Sequence, residues 1–151
     1  MIVIGIDPGS SASAYVAWDG SRIKEFDKIK NEAFVERLDE FRAQQFHCAI
    51  EQIRGYGLRV GNETFDTCFW SGRFYERFGP NRSALIQRKD VGLHLCGSNQ
   101  PGDKFIRAAL IDRFGGPAAI RKGGPLCGVS GDVWSALAVA LTYWDTRNGA
   151  K

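Results

Sequence analysis

The hydrophobic pattern of this chain switches between the period of a strand and the period of a helix. Ile2-Val3-Ile4-Gly5-Ile6 is an unbroken apolar run closed by Asp7-Pro8-Gly9, the signature of a strand buried on both faces. Ser11 to Trp18 reads as a second strand, Asp19-Gly20 as a hairpin turn, and Arg22 to Ile29 as a third strand. The period then changes. Phe34, Val35, Leu38 and Phe41 form an apolar stripe among charged residues, which predicts a helix from Asn31, its expected cap, to about Ala43. Phe46 to Glu51 is again strand-like. A helix between two buried strands is a crossover, so this strand is expected to lie parallel to the first.

Asn62 to Phe78 predicts a helix that is apolar on two sides: Phe65, Cys68, Phe69, Gly72 and Tyr75 on one, Trp70, Phe74 and Phe78 on the other. Ser83 to Gln87 is a short fifth strand, and Val91 to Cys96 fits either a strand or a short helix. After the loop 97–102, Asp103 to Phe114 reads as a helix. Gly115 to Gly131 is rich in glycine and proline and is expected to be mobile until something binds. Asp132 opens a last, broadly apolar helix carrying Ala136, Leu137, Val139, Ala140, Tyr143 and Trp144. The expectation is an α/β fold: an antiparallel meander plus parallel strands in a mixed five-stranded sheet flanked by helices, in a single domain spanning 1–151.

Composition adds exclusions. With 44% hydrophobic and 25% charged residues, neither disorder nor a membrane class is indicated. No apolar run is long enough to span a bilayer, and a first strand at residue 2 leaves no room for a signal peptide, so a cytoplasmic protein is expected. Cys48, Cys68, Cys96 and Cys127 form no Cys-x-x-Cys pair, and His47 and His94 lack metal-ligand spacing; buried reduced thiols are expected in place of a zinc site. The net charge is +3, unevenly spread: between Gln52 and Pro125 there are 12 Lys/Arg against 6 Asp/Glu. A basic middle between acidic ends suits a polyanionic partner gripped by one face. Arg54-Gly55-Tyr56-Gly57-Leu58-Arg59 combines flexible backbone, cationic heads and one ring, as a segment that meets a nucleic-acid backbone and stacks on a base would. Arg88-Lys89 and Arg121-Lys122 are further basic pairs.

The candidate chemistry lies in the acids. Asp7 and Glu51 each end a buried strand, and parallel neighbours would bring the two carboxylates together. Like charges that close are costly without a cation between them, which points to a divalent metal. Asp132 on its own reads as a helix cap, with Asp112 and Asp145 the remaining acids on the two C-terminal helices. The second apolar side of the aromatic helix points to a partner, most simply a second copy of the chain packed on Phe65, Phe69 and Gly72.

Gly5-Ile6-Asp7-Pro8-Gly9-Ser10, Ala49-Ile50-Glu51-Gln52 and Asp132-x-x-Ser135-Ala136-Leu137-Ala138-Val139-Ala140 resemble, in order, the acidic motifs of the RuvC-type Holliday junction resolvases, within the RNase H-like nuclease superfamily. Arg88-Lys89-Asp90-Val91 and Gly102-Asp103-Lys104 fall where that family carries its basic segment. The chain looks closest to the shorter versions carried by bacteriophages and prophages. The resemblance implies a homodimer that cuts four-way DNA junctions with Mg²⁺ or Mn²⁺. Asp7 would bridge two ions, Glu51 and Asp132 would each complete one side, and Lys104 would steady charge on the scissile phosphate. Two positions depart from the family. A second acid on the last helix is replaced by Ser135, and a lysine of the basic segment by Gly92, whose role could pass to Lys89.

Two readings from other classes stand beside this one. Asp7-Pro8-Gly9-Ser10 also resembles the first phosphate loop of sugar-kinase and actin-like ATPases, but those pair two such domains around the nucleotide and 151 residues cannot supply both. A non-catalytic protein that binds branched DNA would keep the fold and tolerate Ser135. A nuclease for branched or flapped DNA in general is not separable from a junction resolvase on these residues.

Overall fold

The computed structural model describes residues 1–149; the final residues of the expected 1–151 domain, Ala150 and Lys151, lie outside them. The N-terminal apolar run forms β1 (Val3–Asp7), the middle strand of a five-stranded sheet. It is followed by β2 (Ala12–Trp18), β3 (Ile23–Lys30), helix α1 (Asn31–Ala43) and β4 (His47–Gln52). Helix α2 (Asn62–Phe78), β5 (Ser83–Gln87), α3 (Arg88–Cys96), α4 (Asp103–Arg113) and α5 (Val133–Asn148) complete the chain. The sheet order is β3-β2-β1-β4-β5. β1, β2 and β3 pair antiparallel, while β4 joins β1, and β5 joins β4, in parallel. The expected mixed sheet is therefore present.

Strand alternation divides the interior into two cores. Ile4, Ile6, Tyr15, Cys48 and Ile50 point to one face, where Phe34, Leu38 and Phe41 of α1 and Phe74 and Phe78 of α2 cover them. Val3, Ala14, Val16 and Ala49 point to the other, beneath Leu137, Ala140 and Leu141 of α5, with Val91 of α3 and Leu110 of α4. Gly5 lies on this second face, and α5 rests directly on it. A Cβ there would fall 2.2 Å from the Ala136 carbonyl oxygen and 2.7 Å from Ala140 Cβ. The small residues of the last helix are thus the condition for its close approach to β1.

At the far end of α5, Asp145 is buried against two basic side chains. Arg113 donates to its Oδ2 at 2.5 Å and Oδ1 at 2.9 Å, and His94 Nε2 is 2.7 Å from Oδ2. This acid is fully engaged in holding α5 to α3 and α4.

Several expectations are corrected. Asn31 begins α1 but does not cap it; its buried side chain accepts from Ser13 Oγ at 2.7 Å and donates to the Gly9 carbonyl at 2.9 Å. Ser13 Oγ in turn accepts from the Gly9 amide. A polar residue at a helix start reads as a cap by sequence, but here the turn after β1 competes for the same atoms and wins. The 115–131 stretch is not loose. Ala119, Leu126 and Val129 are buried in the α5-side core, and the Leu126 amide bonds the Ala119 carbonyl at 2.9 Å. Its glycines at 115, 116, 123, 128 and 131 have positive φ, so they serve fixed turns. The ambiguous 91–96 stretch lies within helix α3. Of the four thiols only Cys48 is fully buried; Cys68 and Cys127 are exposed, and none is in a disulfide.

Candidate active site

Register brings the candidate residues to one end of the sheet. In the β1–β4 ladder Ile6 pairs with Ile50, so the next residues on the two parallel strands are Asp7 and Glu51. On the other side Asp7 pairs with Ala14, and Ala14 with Lys28. Lys28, Ala14, Asp7 and Glu51 therefore form a row across four strands, each about 4.8 Å from the next. Alternation directs Asp7, with Val3 and Gly5, and Glu51, with Ala49, to the face that α5 covers. Asp132 immediately precedes α5, and Arg88 immediately follows β5.

Asp7 and Glu51 stand as a coupled pair. Burial is the largest influence on Asp7, followed by repulsion from Glu51 and then Asp132; Arg88 offsets them only partly, and the carboxyl is pushed up to about 8. Glu51 is also raised, again chiefly by burial, with Arg88 and a hydrogen bond from Asp7 opposing. Both carboxyls are thus pushed toward their neutral forms, Asp7 more clearly than Glu51. A cation between two adjacent carboxylates would relieve the same repulsion.

Asp132 makes no capping hydrogen bond with its side chain; it forms an ion pair with Lys28. It lies within electrostatic reach of Asp7 and Glu51, although no three acidic, histidine or cysteine side chains form a ready metal cage among the described residues. The oxygen-only chemistry of the Asp7–Glu51 pair fits one hard divalent ion, since Mg²⁺ is commonly held by one or two carboxylates and keeps several waters. The fallback acid Asp145 is committed to Arg113 and His94, and so is not available as a ligand.

An open cleft reaches Arg88 and Asp132, though not Asp7 or Glu51 themselves, and is lined also by Lys104, Arg107, Trp134 and Ser135. Lys104 Nζ sits 5.0 Å from the centre of the Phe105 ring, and the Arg107 guanidinium lies over Trp134 at 5.1 Å. Arg88 is turned inward: Nη1 is 3.6 Å from Glu51 Oε1 and 3.5 Å from Ser135 Oγ, and Nη2 donates to Asp103. The neighbouring Lys89 is exposed. Gly92 is buried under Pro101, whose Cδ would be 2.4 Å from an added Cβ. A larger side chain has no room there, so no lysine could stand at this position without moving Pro101.

The remaining candidates are dispersed. Arg54, Tyr56 and Arg59 lie on the loop that leaves β4 just after Glu51; Tyr56 is exposed with φ +47, and Arg54 donates to Gln52 Oε1. Arg121 and Lys122 are exposed on a turn before α5, and Phe65, Phe69 and Gly72 are exposed along α2. Lys28 and Arg107 were not found by motif reading. Lys28 follows Phe26 by two residues, so the strand period alone could have aimed it at the α5 face; the sheet register was needed to bring it to Asp7. Arg107 carried no signal beyond its place one turn after Lys104.

A mixed sheet with an antiparallel meander, two parallel strands and a last helix across its centre is the RNase H-like architecture. The particular version is that of RuvC. The chain superimposes on the Thermus thermophilus RuvC structure with a TM-score of 0.70 at 20% identity, over 99% of this chain and 98% of that one. It superimposes equally on T. thermophilus RuvC in complex with a Holliday junction substrate, with a TM-score of 0.71 at 19% identity, over 99% and 97%. No family model and no curated protein matches the sequence. The chain has the fold of the RuvC-type Holliday junction resolvases.

Proposed function

We propose that this protein is a metal-dependent, structure-specific endonuclease that resolves Holliday junctions or other branched DNA by hydrolysing phosphodiester bonds. The observation that carries the reading is the Asp7–Glu51 pair: two carboxyls side by side at the end of the central strands of a RuvC fold, each raised by burial and Asp7 further by the charge of its neighbour.

A Mg²⁺ or Mn²⁺ ion held by Asp7 and Glu51, with Asp132 completing the set, would supply Lewis acidity at the attacking water and the leaving 3′-oxygen. The chain's own residues do the rest. Lys104 and Arg107, on one face of α4, offer positive charge to a phosphate in the cleft. Arg54, Tyr56 and Arg59 follow Glu51 directly, so a strand held by that loop has its backbone carried to the acids. Lys89, Arg121 and Lys122 extend the grip on DNA. Phe65 and Phe69 are 62% and 63% exposed, and an added Cβ at Gly72 would meet open space; this face of α2 is the proposed contact of a homodimer. Two sites on a two-fold body could nick opposed strands symmetrically. Among the described residues no helix is long and apolar enough to cross a membrane; the proposed setting is the cytoplasm, as one domain.

A non-catalytic branched-DNA-binding protein is the second reading, favoured by Ser135 and by the hold of Arg88 on Glu51. One experiment decides between them. Labelled four-way junction, fork, flap and linear duplex are incubated with Mg²⁺ or Mn²⁺, and both binding and strand cleavage are scored. The nuclease reading expects paired nicks in a branched substrate. Tight binding with no cleavage in either metal refutes it in favour of the second.

A further inference from the structure

We propose that Arg88 is a built-in cation of this site, standing where a second divalent ion would otherwise be required, so that the protein works with one metal ion per chain. The inference rests on the nuclease reading above and goes beyond it.

Arg88 is the first residue after β5, and the last pair of the β4–β5 ladder, Gln52 with Gln87, delivers it next to Glu51. Its Nη1 lies between the Glu51 carboxylate at 3.6 Å and the Ser135 hydroxyl at 3.5 Å. Ser135 lies one helical turn beyond Asp132 on α5. A neutral hydroxyl is a poor ligand for a hard divalent ion, whereas it accepts readily from a guanidinium. The side of Glu51 toward Ser135 is therefore taken by a guanidinium, which needs no recruitment from solution. A second metal ion would meet that guanidinium at close range with one fewer carboxylate to hold it.

The third partner of Arg88 gives this cation a route to substrate. Asp103 is 93% exposed at its side chain, so its grip on Nη2 is a surface pair that water and salt weaken. A DNA phosphate can replace Asp103 and take two parallel N–H donors from the guanidinium. Arg88 then neutralises charge on the phosphate while Glu51 and Ser135 keep its head oriented.

The test is metal stoichiometry, measured by calorimetry and Mn²⁺ electron paramagnetic resonance on protein shown to be folded by its thermal melt. The wild type and Ser135→Asp are expected to bind one Mn²⁺, because Arg88 pairs with the added carboxylate. The double variant Arg88→Met/Ser135→Asp is expected to bind two. Arg88→Met alone keeps the apolar stem and is expected to tighten the first Mn²⁺ about tenfold by removing a nearby positive charge. At saturating metal it is expected to cut junctions about 10²-fold more slowly. Arg88→Lys is expected to recover part of that loss.

Two ions in the wild type, or metal affinity and cleavage falling together in Arg88→Met, would overturn the role of Arg88 and leave the nuclease reading intact. One Mn²⁺ in the wild type without cleavage of any branched substrate overturns the nuclease reading instead. No Mn²⁺ in any of these proteins overturns both.

Discussion

Each end of helix α5 lies near an aspartate, Asp145 on the helix itself and Asp7 on β1, and the two have opposite electrostatic fates. At the C-terminal end Asp145 is buried, and burial alone would raise its pKa; hydrogen bonds from Arg113 and His94 outweigh it and hold the group below the ordinary carboxylate value. Beside the N-terminal end, burial of Asp7 is reinforced by Glu51 and Asp132, and its pKa rises to about 8. Desolvation is common to both. Partner sign separates an acid that fastens helices together from an acid crowded by like charge.

The largest expected contrast comes from removing each charge in turn. On the proposed function, Asp7→Asn should reduce junction cleavage to background while leaving junction binding intact or stronger, because it removes a proposed metal ligand and a repulsion at once. Parallel loss of binding, in a folded variant, would break that division. Asp145→Asn should do the reverse. Breaking a buried pair by removing one partner costs about 3 kcal/mol, visible in urea unfolding, while cleavage per folded molecule is unchanged.

Gly5→Ala tests the contact that ties the two ends to the same sheet. With the Ala136 carbonyl 2.2 Å from the new methyl, the helix must shift, at a cost of about 1–3 kcal/mol in stability. Cleavage should fall by more than the unfolded fraction explains, since Asp132 moves with the helix. Normal activity together with normal stability would mean that α5 has freedom the packing does not show.

The pH dependence is next in size. A carboxyl whose folded pKa is raised binds protons more tightly in the folded state than in the unfolded one. Stability from Asp7 is therefore full below the ordinary value of 3.8 and is lost as pH rises toward about 8. Metal-free protein should show a falling melting temperature across this window, and the slope should flatten in Asp7→Asn and with added Mg²⁺. Asp145 acts in the other direction. Its contribution is full above 3.8 and disappears as pH falls through its lowered folded value. A slope unaffected by Asp7→Asn would deny the raised pKa.

Least affected should be Lys28→Ala. The Lys28–Asp132 pair is about half exposed, so its removal should change stability by less than about 1 kcal/mol. A shift toward lower Mg²⁺ in the cleavage titration is the sharper expected signal, because Asp132 is freed for the ion.

How much of this was legible from the sequence varied with the range of the interaction involved. The five strands and most helices follow from local period, and the parallel pairing of β1 with β4 follows from the crossover between them; together these bring Asp7 to Glu51. Lys28 and the inward turn of Arg88 required register across strands far apart in sequence. Asn31 was misread because a helix start and the Gly9 turn offer it rival partners. The 115–131 stretch was misread because glycine supplies turns as well as freedom, and only Ala119, Leu126 and Val129 in the core show which it does here.

The contact between Gly5 and α5 also acts as a gauge. Strand hydrogen bonds set the separation of Asp7 from Glu51, whereas the distance of Asp132 from both is set by how closely a helix can lie on a strand without side chains between them. Any thickening at Gly5, Ala136 or Ala140 lengthens that third dimension and leaves the other two unchanged. Divergence at these small positions is thus constrained jointly: a larger residue at one is tolerable only if another shrinks, or if the reaction tolerates a wider site.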